Sequence, residues 1–240
     1  MAVILGAQSS GTLTTFTGTF GVTFTGSIQN SGATRVLRNS LSSATLTLAG
    51  PVALATATSP QRLVVDGDGA TVISGVMSQT SSGSGSVVKT GAGTLTLSGS
   101  NTYSGTTTVS NGVLVLSTTA AVTGATTRTY TVAAAATLAT GFAVDQAFID
   151  RVVTTSAGVI ALGANSANNL DFSSAGAGLT AASLGAFGSG TRVYSGTLTP
   201  NGTTYRLGRQ RGHGGVRFVP ARRDHGGERT PGHAAAGRRH

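Results

Sequence analysis

The chain has no cysteine and no tryptophan, and only five prolines in 240 residues. Without cysteine there is no disulfide framework, no thiol nucleophile and no thiolate metal ligand. Histidine is missing from residues 1–205, which excludes a Ser–His–Asp triad and a His-type metal site there. The four that exist, His213, His225, His233 and His240, match no zinc-ligand spacing. Glutamate occurs once, at Glu228. An EF-hand loop needs a bidentate Glu at its twelfth position, so Asp66-Gly67-Asp68-Gly69 reads as a turn rather than a calcium loop. The remaining body acids are Asp145, Asp150 and Asp171. Asp145 and Asp150 lie five apart on a helical segment and share no face, and Asp150 with Arg151 reads as a surface charge pair. Neither paired carboxylates for glycoside hydrolysis nor the acid cluster of a calcium-dependent lyase is in view. These absences describe a chain that is not an enzyme and needs no cofactor and no metal.

Hydrophobic runs are also short. No stretch is long enough to span a bilayer, so the chain is not expected to insert in a membrane itself. Residues 1–11 lack the basic and apolar regions of a signal peptide. The formal charge of +9 is a property of one end. Residues 1–205 carry seven Lys or Arg against five Asp, whereas residues 206–240 carry nine Arg against one Asp and one Glu. That tail has one aromatic, Phe218, and lacks the stacking residues of a single-strand binder, so specific nucleic-acid binding is not expected.

What is abundant is glycine (36 residues), serine and threonine in short alternating runs. The densest pattern is residues 86–117, SVVKTGAGTLTLSGSNTYSGTTTVSNGVLVLS. In Thr94-Leu95-Thr96-Leu97 the leucines share one face of a strand and the threonines the other, because strand side chains alternate with period two. Turn chemistry flanks the run at Gly91-Ala92-Gly93 and Ser98-Gly99-Ser100-Asn101. A second run covers Thr106 to Val109, and Asn111-Gly112 introduces a third, Val113 to Leu116, apolar throughout. Three short strands with small, unevenly spaced corners suit a β-solenoid coil, with an ordinary β-sandwich as the alternative.

The same stretch resembles the autotransporter-associated β-strand repeat of bacterial passenger domains. Lys89, Gly91, Gly93, Leu95, Leu97, Gly99, Asn101, Tyr103, Gly105, Thr108, Val109, Gly112 and Leu114 carry the resemblance. It implies an all-β protein, a right-handed parallel β-helix in an exported, surface-displayed chain, with no catalytic residues in the repeat. Any export signal or outer-membrane barrel would then lie in a longer parent chain, whose neighbouring coils would be partners. The expected core is Leu95, Leu97, Val109, Leu114 and Leu116, and the expected turn glycines are Gly91, Gly93, Gly99, Gly105 and Gly112. Tyr103 and the threonines are candidates for contact surface.

Along the chain, residues 1–205 read as irregular coils of this kind. Phe16, Phe20 and Phe24 alternate with Thr and Gly and are expected to stack inward in successive turns. Ala44 to Gly50 repeats the TLTL motif 49 residues before Leu95, the span of two coils of twenty to twenty-five residues. Residues 142–153 are the exception: Val144, Phe148 and Val152 form a helical stripe, with Asp145 placed to favour the helix start. Asn165 to Asn169 form a corner expected to ladder through side chains. Thr204 to Leu207 is the last expected strand. After Gly208 the pattern stops, and residues 206–240 read as a disordered Arg-rich tail, of the composition that a shifted reading frame in a GC-rich gene produces. Three functional classes follow: a stalk or passenger region with an adhesive role and a role in secretion, a module binding surface glycans or host and matrix polymers, or a polysaccharide-acting enzyme. The resemblance implies a place outside the cell or on the bacterial surface.

Overall fold

The computed structural model describes residues 3–5, 12–30, 33–55, 60–79, 84–123, 127–208 and 215–219. Its architecture follows from the period-two pattern. Each short run forms a strand, and each Gly- or Ser-rich corner turns the chain so that the next strand of the same kind lies beside the previous one. The largest product is an eight-stranded parallel sheet: Val22–Phe24, Thr45–Leu48, Ala70–Ile73, Thr94–Leu97, Gly112–Leu116, Ala136–Thr140, Val159–Leu162 and Ser183–Ala186, in chain order. A second face carries six strands: Thr12–Gly18, Thr34–Leu41, Gln61–Asp66, Gly85–Lys89, Thr107–Val109 and Tyr130–Val132. A third holds four: Val3–Leu5, Ile28–Asn30, Val52–Ala55 and Met77–Gln79. Every paired strand is parallel, so the chain is a β-solenoid of about eight turns. With strands about 4.8 Å apart the stack is roughly 35–40 Å long.

Register fixes the coil length. Along the eight-stranded face Leu46 pairs Thr71, which pairs Leu95, then Leu114, Leu138, Ile160 and Leu184, steps of 25, 24, 19, 24, 22 and 24 residues. The two TLTL copies are thus two coils apart. Most of the shortening lies between the two main faces on the side of the third: Leu97 to Thr107 is 10 residues, where the coil before takes 14 from Ile73 to Val87. Residues of this column point inward and are buried, together with Leu48, Ile73, Leu97 and Leu116. Each buried aliphatic side chain stabilises by about 1.5–3 kcal/mol, so the continuous column is the main hydrophobic term of the rod.

Val113 to Leu116 is apolar throughout because both of its faces are covered. Leu114 and Leu116 face the interior, while Val113 and Val115 join Ala139 and Ala161 in a second buried cluster against Val159 and Phe187.

The third face is the irregular one. Beyond Met77–Gln79 its strands give way to a helical turn, Ala120–Thr123, and then a second, Gln146–Ile149. The second falls within the stripe expected to be helical, and Asp145 caps it by accepting from the Phe148 amide at 2.9 Å. Val144, Phe148 and Val152 are buried, yet only one turn forms. Val152 is drawn back into the solenoid by a parallel bridge to Tyr130.

Three expectations about the ends are corrected. Phe16 and Phe24 meet edge to face, 5.5 Å between centroids, but within one coil rather than in successive ones, and Phe20 is 84% exposed at the corner between them. Thr204 to Leu207 makes a single bridge, Leu207 to Leu184, rather than a strand. The tail is not uniformly without structure: Val216–Phe218 pairs in parallel with Arg192–Tyr194, and Phe218 packs edge to face on Tyr194, 5.6 Å between centroids. The alternation of Val216, Arg217 and Phe218 is enough to extend a template that already exists. The rest of the expected tail, residues 209–214 and 220–240, lies outside the described residues, as do most of residues 1–11.

Candidate functional site

Chemistry was sought first among the carboxylates. Asp66 accepts from Arg38 Nε at 2.7 Å and from Thr90 Oγ1 at 2.9 Å, one donor from the coil before and one from the coil after. Burial pushes this carboxyl upward, but the bonds from Arg38, Thr90 and the Gly67 amide, with the Arg38 charge, outweigh it and hold its pKa below the ordinary value. Asp68 accepts from the Ala92 amide at 3.4 Å. Asp145 is a helix cap, Asp150 accepts from Gln146 Nε2 at 2.7 Å, and Asp171 accepts from the Ser173 amide at 2.8 Å. Each acid is used locally. Among the described residues no group of three metal-ligating side chains converges.

The polar groups that do converge are cations inside the rod. Arg128 is fully buried. Its Nε and Nη2 donate to the Tyr103 carbonyl at 3.1 and 2.9 Å, Nη2 also to Asn101 O at 2.8 Å, and Nη1 to Ala121 O at 2.9 Å. The guanidinium lies 3.9 Å from the centroid of the Tyr103 ring. The three carbonyls belong to the third face, where among the described residues no further strand of that sheet supplies N–H donors. Arg128 provides those donors from a side chain. One coil on, Arg151 repeats the device: it donates to Arg128 O and Val122 O, both at 2.9 Å, and lies 5.3 Å from the Tyr130 centroid. The surface pairing expected for Asp150 and Arg151 is therefore replaced, because carbonyls at an interrupted sheet need a donor more than an exposed carboxylate does. Tyr103, expected at the surface, is fully buried beneath Arg128, with its hydroxyl 2.7 Å from Thr107 Oγ1. Burial pushes its phenol pKa up to about 12.

Asparagine performs the same service. The Met77 amide donates to Asn101 Oδ1 at 3.0 Å, and Asn30 Nδ2 to Leu54 O at 3.1 Å. At the Asn165–Asn169 corner the expected side-chain ladder is replaced by bonds to neighbouring backbone: Val193 N to Asn165 Oδ1, Asn168 Nδ2 to Val144 O, and Thr197 N to Asn169 Oδ1. The neighbouring coils set Val193, Val144 and Thr197 beside Asn165, Asn168 and Asn169, so backbone groups rather than asparagine side chains receive the bonds.

Lys89 sits at the end of its strand in a buried column with Val65 and Val109. Its ammonium curls over the corner and donates to Thr90 O and to Gly91 O, the latter at 2.8 Å. Burial lowers its pKa to about 8 against the pull of Asp66 and Asp68. The alternation Gly85, Val87, Lys89 marks this inward position in the sequence. No comparable signal marks Arg128.

Leu95, Leu97, Val109, Leu114 and Leu116 are fully buried. The corner glycines stack on the backbone of the coil before: a Cβ at Gly99 would strike the carbonyl oxygen of Gly75, and one at Gly75 that of Gly50. Gly93 lies likewise on Gly69, and Gly105 on Gly85. Gly91 and Gly112 also hold positive φ, +60° and +67°.

Two grooves mark the surface of the irregular face. One, about 420 Å³, lies between the helical turns and is walled by Val122, Phe142, Ala147 and Phe148. The other, about 400 Å³, is polar and crosses coils at Gln146, Asn169, Asp171, Thr197 and Thr199. Neither presents a nucleophile beside a base.

With this geometry in place, comparison with known families is informative. Residues 87–116 match the family described as Passenger-associated-transport-repeat. The matched segment holds two strands of each main face, separated by the corner that buries Asn101 and Tyr103. No curated protein and no solved structure is found similar to the chain. The repeat and the solenoid together fit a passenger region of an autotransporter. Among the described residues no helix is long and apolar enough to cross a membrane.

Proposed function

We propose that this chain is the stalk of a surface-displayed passenger in a bacterium, a rod whose work is mechanical. The observation that carries the reading is the unbroken parallel face running from Val22 to Ala186 through the matched repeat. Leu95, Leu97, Val109, Leu114 and Leu116 form its spine, and the corner glycines let backbones stack closely. Each coil offers the next a ready edge of N–H and C=O groups, so folding proceeds by addition, as in other quasi-one-dimensional repeats. Coils added one after another outside the membrane hold the chain there and so favour its outward passage. The test is to join the full chain to an outer-membrane translocator and follow protease-resistant material at the cell surface. The wild type should appear there, and Leu95→Asp should stall. Equal display of both would remove the proposed role in secretion.

A second reading, adhesion through surface glycans or host and matrix polymers, is favoured by the polar groove of Gln146, Asn169, Asp171, Thr197 and Thr199. It crosses successive coils, as an extended polymer would. A glycan and matrix binding screen on the full chain, repeated with Asn169→Ala and Thr199→Val, tests it. Binding that survives both changes places adhesion elsewhere.

A further inference from the structure

Asparagine is a partner of the backbone throughout this rod, with one exception. Of the eight asparagines in the chain, seven bond through the side-chain amide to the backbone of a neighbouring coil. Asn111 does not. It is exposed at a corner inside the matched repeat, and its one bond among the described residues is local: Oδ1 accepts from the amide of its own successor, Gly112, at 2.8 Å. No contact between coils uses this side chain. Gly112, in turn, has structural reasons to be glycine. Its φ is +67°, and a Cβ there would strike the carbonyl oxygens of Gly91 and Gly93. The stack therefore sets a residue without a side chain directly after an exposed asparagine. The bond from Gly112 N to Oδ1 holds the amide nitrogen against the carboxamide, and two groups held in contact need little further ordering to react.

We propose that Asn111 is a site of spontaneous modification, where the side-chain amide converts to a carboxylate through a cyclic imide. Hydroxide takes the proton of Gly112 N. The nitrogen attacks Asn111 Cγ, the Cγ–Nδ2 bond breaks, and Nδ2 takes a proton from water and leaves as ammonia. Water then opens the ring at either carbonyl. One opening gives aspartate, the other isoaspartate, with the main chain rerouted through Cγ. In net terms one water enters and one ammonia leaves, and no oxidant, metal or enzyme takes part. Either product places a negative charge one coil beyond Gly91, whose carbonyl holds the Lys89 ammonium. The isoaspartyl form also adds a methylene to the main chain at the entry to Gly112–Leu116, the strand buried on both faces. Asn201-Gly202 is the internal control. It has the same two residues and a positive φ at the glycine, +74°. Its Nδ2, however, donates to Phe172 O at 3.2 Å, so the nitrogen that must depart is tied to a neighbouring coil.

The experiment uses the purified full chain, incubated at neutral and at mildly alkaline pH and sampled over time. Peptide mapping by mass spectrometry, with fragmentation, assigns the exchange of amide for acid to single asparagines, and enzymatic methylation of isoaspartate counts the rerouted product. Conversion at Asn111 should lead that at Asn201 by roughly fivefold, the rate equivalent of one hydrogen bond on the departing amide. It should be faster at the alkaline pH, because Gly112 N must lose its proton, and it should yield isoaspartate as well as aspartate. Asn111→Gln requires a larger, slower-forming ring. That variant should show no conversion at residue 111, with the rate at Asn201 and the melting temperature unchanged. Asn111 that stays intact while Asn201 converts, or equal rates at the two, overturns the proposal. Conversion at Asn111 without isoaspartate, or at a rate indifferent to pH, overturns the imide route.

Discussion

The coils before Leu116 and those after it meet the same requirement by different means. In the earlier half, strands pair backbone to backbone on three faces, and side chains such as Asn30, Asn39 and Lys89 add bonds mainly to single backbone groups at the corners and strand ends. In the later half the third face loses its sheet. Donors and acceptors are then supplied by Arg128, Arg151, Asn168 and Asn169, with two helical turns taking the place of strands. A parallel stack therefore tolerates an interrupted face if donors come from side chains. The two halves should fail for different reasons when altered.

The largest effect is expected in the earlier half. Leu95→Asp puts a carboxylate into a closed apolar column and should cost about 4–5 kcal/mol or more, abolishing cooperative unfolding around it in a denaturant titration. Arg128→Met probes the later half. It leaves the Asn101 and Tyr103 carbonyls without their Arg128 donor, and Ala121 O with Asn101 Nδ2 at 3.5 Å, and should cost about 3–5 kcal/mol, whereas an exposed Arg replaced the same way costs under about 0.5 kcal/mol. If Arg128→Met melts like wild type, the later coils do not depend on side-chain donors and the contrast is lost. Gly99→Ala tests the corners. The added methyl must displace the Gly75 carbonyl, a strain of about 1–3 kcal/mol, read as a lower melting temperature.

Lys89 adds a pH signature to the earlier half. Its pKa is about 8 in the fold and near 10.4 in an unfolded chain, so between these values the unfolded state binds the extra proton. Stability should rise as pH goes from 8 toward 10, by on the order of 1–3 kcal/mol. Above pH 10 the sign reverses. The phenols of Tyr103 and Tyr194 are held up to about 12, and the unfolded state loses those protons first. Lys89→Met should remove the rise below pH 10 and cost about 1–3 kcal/mol at pH 7, because the Thr90 and Gly91 carbonyls lose their donor. The smallest effect is expected for Phe20→Ser at the exposed first corner, within about 0.5 kcal/mol of wild type.

The two halves also differ in how far they can be read from sequence. Thr45–Leu48 and Thr94–Leu97 show their strand, their buried face and, through their separation, the coil length, because alternation and glycine corners are local signals. Lys89 was legible by parity in the same way. Arg128 and Tyr103 were not. Tyr103 lies in a segment of turn residues with no alternation to assign it a face. Arg128 is buried by the absence of a strand one coil away, a consequence of long-range register. Phe20 misled for the opposite reason: it keeps the spacing of Phe16 and Phe24 but falls on the corner, where period two no longer applies. The strand Val216–Phe218 is three residues in an Arg-rich stretch and forms only because Arg192–Tyr194 is there to receive it.

The central claim is the parallel register that stacks coil on coil, and the lack of native cysteine allows it to be measured directly. Val72 and Thr96 are outward-facing partners on adjacent strands, 24 residues apart in the chain. Paired cysteine substitutions at these positions, Val72→Cys with Thr96→Cys, should cross-link within one molecule far faster than Val72→Cys with Ser104→Cys, whose second position lies on another face. Equal rates for the two pairs, or faster coupling in the second, would contradict the solenoid.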